Sequence, residues 1–348
     1  MKEVDALVVG FGLAGLAYVE TLRQNKTTFH VIDQSNSGSS EIAAGIYNPT
    51  VLKRFNMTWK GEELHRFSLP FYREIALRLS IKIDYPSPVY KLFNEKAEHN
   101  QWSVAADRSG LSNFLVPEIN LAPIPGVKVP HGYGQLINCG RIDTAAMLVR
   151  YKKSIRTHFT ETRFDFTSLK HLDAGVQYKD IKANYVVFCE GYAMVKNPYF
   201  KNLPLVGSKG QILIINAPEL KSKAILKGPI FIAPLGNNLY WAGASFEQHD
   251  KTMNPTEKGR DWILSKIDKM ISVPYTVHKH ITHIRPTVVD RRPLLGQHQI
   301  HKNLFLFNGL GSRGVLTAPL AAKWLYNSIE NNISLIEEVD IKRFLETT

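Results

Sequence analysis

An α/β fold, with a Rossmann-like nucleotide-binding domain interleaved with a smaller α+β domain built on a mainly antiparallel sheet, is predicted by three features of this chain. A glycine cluster, Gly10-x-Gly12-x-x-Gly15, closes a short apolar run near the start. A second glycine-rich junction, Asn308 to Gly314, follows another apolar run near the far end. Between them the segments GQILII, IFIAPL and LYWAGASF, from Gly210 to Phe246, are separated by turn residues and read as consecutive strands.

Taken in order, Asp5 to Val9 (DALVV) has the continuous apolar character of a buried parallel strand. Leu13, Leu16, Ala17, Val19 and Leu22 then mark one helix face, and Thr27 to Asp33 (TTFHVID) reads as the next strand, completing a βαβ unit. From Gly61 the residues Leu64, Phe67, Phe71 and Ile75 are spaced for another helix, which Pro70 is expected to kink or split. Prolines from Pro86 to Pro130 punctuate short strand-like runs and suggest loops and small strands. Arg141 to Lys153 returns to helical spacing with Asp143 as its cap, and Tyr185 to Cys189 (YVVFC) is a further buried strand. The expected division is residues 1–80, 131–203 and 284–348 for the nucleotide domain, with 81–130 and 204–283 for the substrate domain.

The 348 residues suffice for two domains. A content of 44% hydrophobic and 21% charged residues excludes fibrous and disordered classes, and no run approaches a membrane span. The first strand begins too early for a signal peptide, and the two cysteines, Cys139 and Cys189, suit a reducing compartment, so a cytoplasmic location is expected. A net charge of +12 favours anionic partners, among which cofactors, carboxylates and nucleic acid all qualify. The densest basic segment, Arg150 to Arg156, fits either a nucleic-acid contact or a solvated helix face.

In the fingerprint, Gly10 permits the tight turn, Gly12 lets the backbone approach a pyrophosphate, and Gly15 allows close helix–strand packing. The helix N-terminus supplies N–H donors and a partial positive charge. Asp33 can bond ribose hydroxyls and would repel a 2′-phosphate, which disfavours NADP. NAD and FAD both satisfy this motif. The distant junction separates them, because a simple NAD domain has no need of a second glycine-rich helix start. There Leu304 to Phe307 (LFLF) runs into Asn308–Gly314, and Ala318, Ala321, Ala322, Leu325 and Ile329 mark a helix face. Thr317 is the expected cap, with Pro319 in the first turn. Such a helix would stabilise negative charge on a reduced flavin ring. An ordinary glycine-rich connection would carry the same residues.

Six stretches together resemble the FAD-dependent D-amino-acid oxidase superfamily, which includes glycine and sarcosine oxidases. They are VVGFGLAG (Val8–Gly15), AAGIYNP (Ala43–Pro49), RIDTAAML (Arg141–Leu148), YVVFCEG (Tyr185–Gly191), IRPTVVDRRPLLG (Ile284–Gly296) and NGLGSRGVLTAPLAA (Asn308–Ala322). The stretch LFLFNGLGSRGVLTAPL (Leu304–Leu320), with WAGASF at Trp241–Phe246, is most similar to the oxidase domain of the bifunctional tRNA 5-methylaminomethyl-2-thiouridine biosynthesis enzyme, whose methyltransferase half this chain lacks. The resemblance implies FAD bound non-covalently, since neither Cys nor His stands at the loops where relatives attach it. Gly10, Gly12, Leu13, Ala14 and Gly15 would form the pyrophosphate turn, with Asp33 and Gln34 near the ribose. Ala44, Gly45 and Asn48 would lie beside pyrophosphate or flavin, Arg163 or Phe164 at the adenine, and Gly191 near the pyrophosphate. Leu310, Gly311, Ser312, Arg313 and Gly314 would border the pyrimidine edge of the flavin.

The implied activity is oxidation of a carboxylate-bearing primary or secondary amine to an imine, with hydride passing to flavin N5. Arg285, in Ile284-Arg285-Pro286, offers a planar fork that can grip a carboxylate, and an Arg-Pro at this place does so in the superfamily. A salt bridge to Asp290 is the competing role for that arginine, and Asp290 itself suits a turn. Tyr240 falls where sarcosine-oxidase-like members carry a lysine, and Tyr47 adjoins the flavin loop; either can also be an ordinary buried aromatic. His278-x-His280-x-x-His283 lacks accompanying ligands, so no metal is expected. The expected partner is a small amine with a carboxylate. A tRNA bearing carboxymethylaminomethyl-uridine, itself such an amine, is the alternative, and no membrane is involved.

Overall fold

The computed structural model describes residues 1–34 and 38–344 and contains two large sheets. In the first, Phe159–Glu161, Phe29–Asp33, Lys2–Val9, Ile181–Phe188 and Leu304–Asn308 run parallel in that order. Antiparallel strands extend it at Leu169–His171, Val176–Tyr178 and Leu294–Gln297. The Lys2–Val9 strand is apolar throughout its C-terminal half because both faces are covered. Ala6 and Val8 enter one core, and Leu7 and Val9 enter the other.

The first core is closed by helices Leu13–Gln24, Gly61–Leu79, Thr144–Ser154 and Gly314–Glu330. Asp143 caps the third as expected, its carboxylate accepting from Ala146 N at 3.0 Å. Pro70 does not split the second helix, which continues through it to Leu79. Nor does Thr317 cap the fourth: the helix already begins at Gly314, so Thr317 and Pro319 lie inside it. Pro319 cannot donate to the carbonyl of Val315, and the Tyr72 hydroxyl donates to that oxygen instead at 2.8 Å. Packing against a neighbouring helix thus tolerates a proline that local rules place at a helix start.

The second sheet has the order Thr276–Arg285, Ser208–Asn216, Leu239–Gly243, Phe231–Gly236, Ile225–Lys227, Val89–Leu92, Tyr133–Leu136, Leu115–Asn120. Every neighbouring pair is antiparallel except Ile225–Lys227 with Val89–Leu92. The Tyr133–Leu136 strand belongs here, although the sequence division at 131 assigned it to the nucleotide side; its pairing partners Val89–Leu92 and Leu115–Asn120 decide its place. Also unforeseen is the helix Ala97–Ala106, whose apolar residues lack a clear stripe; it buries Trp102 completely, over Gly134. Cys139 and Cys189 are buried free thiols. Among the described residues no helix is long and apolar enough to cross a membrane.

Candidate active site

A cavity of about 1490 Å³ runs from the glycine turn of the first sheet to the face of the second. Its floor is the junction the sequence singled out. Gly10 has φ +95°, and a Cβ there would sit 2.6 Å from the Cys189 carbonyl oxygen. Gly15 lies off the cavity, packed so that a Cβ would come within 2.0 Å of Gly10 O, which is the close approach expected of the third glycine. Gly12, Leu13 and Ala14 border the cavity at the start of the first helix. Ser40 was not foreseen there. Its hydroxyl accepts from Leu13 N at 3.0 Å and partners one of the free helix N–H groups.

Asp33 and Gln34 border the same space, and one Asp33 oxygen accepts from Phe11 N at 3.2 Å. Ala44, Gly45 and Asn48 form a further wall. Asn48 is held by its neighbours, its carbonyl oxygen accepting from Thr50 N and Oγ1 at 2.9 and 2.8 Å. Arg163 and Phe164 lie on the wall too, with the Phe164 ring stacked on Tyr178 at 4.3 Å. Gly191 faces open space, nothing approaching within 4 Å of where a Cβ would stand. Leu310, Gly311, Ser312, Arg313 and Gly314 border the cavity at the start of the fourth helix. Asn308 joins two of these walls by donating to Gly191 O at 2.8 Å while accepting from Gly309 N.

This arrangement fits a dinucleotide with an attached ring system. The glycine turn and helix N-terminus suit a pyrophosphate, Asp33 suits ribose hydroxyls, and a second helix start adjoins the place left for the ring.

On the second sheet, Arg285 borders the cavity and is largely buried. Burial holds its guanidinium below the usual arginine value, and no carboxylate pairs with it among the described residues. Both terminal nitrogens instead face Ser245 O at 3.4 Å. Asp290 is engaged elsewhere, with Arg343 at 2.8 Å and with Arg292 N at 3.0 Å, the latter closing the turn expected of it.

Tyr240 and Tyr47 are not brought to the cavity. Tyr240 points to the opposite side of its strand, where it is buried in an apolar core and donates to Leu220 O at 3.1 Å. Alternation gives the cavity its neighbour Trp241, whose indole N–H donates to Ile42 O at 2.9 Å, at the end of the short helix Ser39–Ile42. Likewise Ile46 and Asn48 border the cavity, while Tyr47 turns inward and donates to Asp84 at 2.8 Å. Burial and that carboxylate push the Tyr47 hydroxyl far above its ordinary value, so it does not ionise near neutrality.

Two of the three histidines of the outer strand, His280 and His283, are bonded within the protein. His280 contacts Gln211 Oε1 at 2.9 Å, and His283 Nδ1 accepts from Ile284 N at 2.9 Å. Among the described residues no three metal-ligating groups converge.

The FAD-dependent oxidoreductase family model matches residues 5–327, and the chain belongs to that family. It is a flavoenzyme with the fold of the amino-acid oxidases. Glycine oxidase from Geobacillus kaustophilus superposes with a TM-score of 0.80 at 17% identity, covering 100% of both chains. Iminodiacetate oxidase from Chelativorans sp. BNC1 gives 0.76 at 17% identity over 97% of this chain and 98% of that one. By sequence, the tRNA 5-methylaminomethyl-2-thiouridine biosynthesis bifunctional protein of Marinobacter nauticus is 22% identical over 93% of this chain and 55% of its own length. That of Azoarcus sp. is 23% identical over 99% and 60%. The chain therefore spans little more than half the length of these relatives.

Proposed function

We propose that this protein oxidises a carboxylate-bearing primary or secondary amine to an imine. The observation that carries this reading is Arg285, a largely buried guanidinium on the cavity wall with no acidic partner among the described residues. A desolvated cation of that kind calls for an anion, and its planar fork matches a carboxylate in two parallel hydrogen bonds. Bound FAD, held without a covalent bond by the glycine turn, Asp33 and the helix start at residues 310–314, would supply the hydride acceptor. The chain's own residues then bind and orient. Arg285 fixes the carboxylate, Ser245 O and the Gly210 backbone fix Arg285, and Trp241 walls the space against water. No residue of the cavity needs to act as a strong base, because an amine presented neutral already has the lone pair that assists C–H cleavage. The buried free thiols suit a cytoplasmic enzyme.

Purified protein should be yellow, and glycine, sarcosine, proline, iminodiacetate or a D-amino acid should bleach it without oxygen. Failure of every such amine would overturn this reading.

A second reading, oxidation of carboxymethylaminomethyl-uridine in tRNA, is favoured by Arg54, Arg291 and Arg292. All three border the cavity without an ion pair among the described residues, in a chain of net charge +12. A salt-dependent mobility shift with tRNA supports it, and absence of binding at low salt contradicts it.

A further inference from the structure

We propose that Lys209 and Gln211 are positioning residues for substrate binding: they fasten the segment 244–256, whose Ser245 carbonyl holds the Arg285 guanidinium. The proposal rests on Arg285 as the carboxylate anchor.

The Ser208–Asn216 strand uses its two faces for different tasks. Gly210 and Ile212 border the cavity, and the Arg285 guanidinium packs on Gly210. Lys209 and Gln211, offset by one residue, point the other way. Lys209 is fully buried. Its ammonium donates to the Asp250 carboxylate, to Thr252 Oγ1 at 3.1 Å and to Asn254 O at 2.7 Å. All three partners lie in one short stretch of the segment. Gln211 is equally buried and grips the segment on both sides of that stretch. Its Nε2 donates to Glu247 at 2.8 Å and to Thr256 Oγ1 at 2.8 Å, while its Oε1 accepts from Thr256 N at 2.9 Å. Its backbone exchanges bonds with Ser245, accepting from Ser245 N and donating to Ser245 Oγ, both at 3.0 Å.

The segment is therefore tied at Ser245, Glu247, Asp250, Thr252, Asn254 and Thr256. Between the ties it sends Phe246, Lys251 and Met253 to the cavity. Lys251 adds a bond to Gly207 O at 3.0 Å. Burying an ammonium is expensive, and an apolar side chain of similar size would fill this space at lower cost. What the lysine supplies beyond filling is direction, since its three acceptors fix where the segment lies. The segment in turn fixes Arg285, because Ser245 O faces both guanidinium nitrogens. Loosening the tie should misorient the anchor and weaken carboxylate binding, while a substrate that does bind reacts at its former rate.

The test uses the FAD-loaded protein with anthranilate as a carboxylate probe, its Kd read from the perturbed flavin spectrum. Anaerobic flavin reduction by whichever of glycine, sarcosine or iminodiacetate is fastest gives a saturating rate and a half-saturating concentration. Asp250→Asn, on a partly exposed carboxylate, avoids the folding risk of Lys209→Met, and Arg285→Leu is the control. Asp250→Asn is expected to raise both the probe Kd and the half-saturating concentration tenfold or more. The saturating rate should stay within twofold and FAD content should be unchanged. If Asp250→Asn binds as wild type while Arg285→Leu loses binding, the positioning role is overturned and the anchor stands. If the wild-type spectrum ignores anthranilate, or Arg285→Leu binds it equally, the anchor itself is overturned.

Discussion

The guanidinium of Arg285 lies directly on the α-carbon of Gly210: a Cβ at residue 210 would stand 2.2 Å from Nη2 and 2.4 Å from Cζ. Gly210→Ala should therefore displace the anchor without touching the nucleotide walls. Losing one charge-assisted hydrogen bond costs about 1.5–3 kcal/mol. The KM for a carboxylate-bearing amine is accordingly expected to rise on the order of 10- to 100-fold, with FAD content unchanged in steady-state and absorbance measurements.

The Tyr72 hydroxyl stands in for the N–H that Pro319 lacks. Tyr72→Phe should strand the buried Val315 carbonyl and cost about 1–3 kcal/mol. Pro319→Ala restores an N–H at that position, so the double variant should recover much of the loss. Denaturant unfolding of the four proteins measures the coupling; additive effects would contradict the substitution.

These two relationships mark what the sequence does and does not make legible. The glycine turn could be read because strand, turn and helix are adjacent, and Asp33 falls at a fixed place in the same unit. Asn308–Gly314 could be read for the same reason. By contrast, the choice between Tyr240 and Trp241 depends on which face of a strand meets the cavity, and pairing with Ser208–Asn216 sets that. Tyr47 is settled the same way, by pairing with Gly140. Gly210 and Ser245 act through a side chain far along the chain, and no local pattern announces them. Thr317 matched a cap by composition, but the helix begins earlier because Gly314 already follows the turn Gly311–Arg313.

His30 gives a pH dependence with a defined sign. Its Nδ1 accepts from the Lys2 ammonium at 2.9 Å and its Nε2 meets Thr160 Oγ1 at 2.8 Å, an arrangement for neutral imidazole. Burial, then the Lys2 and His158 charges, lower its pKa to about 4. The unfolded chain, at about 6.5, binds that proton first. Stability is therefore full above about pH 6.5 and declines as the pH falls towards 4. His30→Gln should flatten this part of the curve in chemical denaturation at successive pH values.

A flavin held without a covalent bond should leave the protein on acid precipitation, giving a yellow supernatant and a colourless pellet. Adding FAD back to apoprotein at about 100 times its Kd should stabilise the fold by about 2.7 kcal/mol, read as a rise in Tm. A yellow pellet would show covalent attachment.

The most direct measurement is the anaerobic visible spectrum of the purified wild type and of Arg285→Leu, titrated with carboxylate-bearing amines. The expected result is a flavin spectrum in both proteins. One of those amines should bleach the wild type, and the variant should require a far higher concentration of it. A flavin that no such amine reduces, or that an amine reduces at the same concentration in both proteins, would contradict the assignment of Arg285 and the reaction built on it.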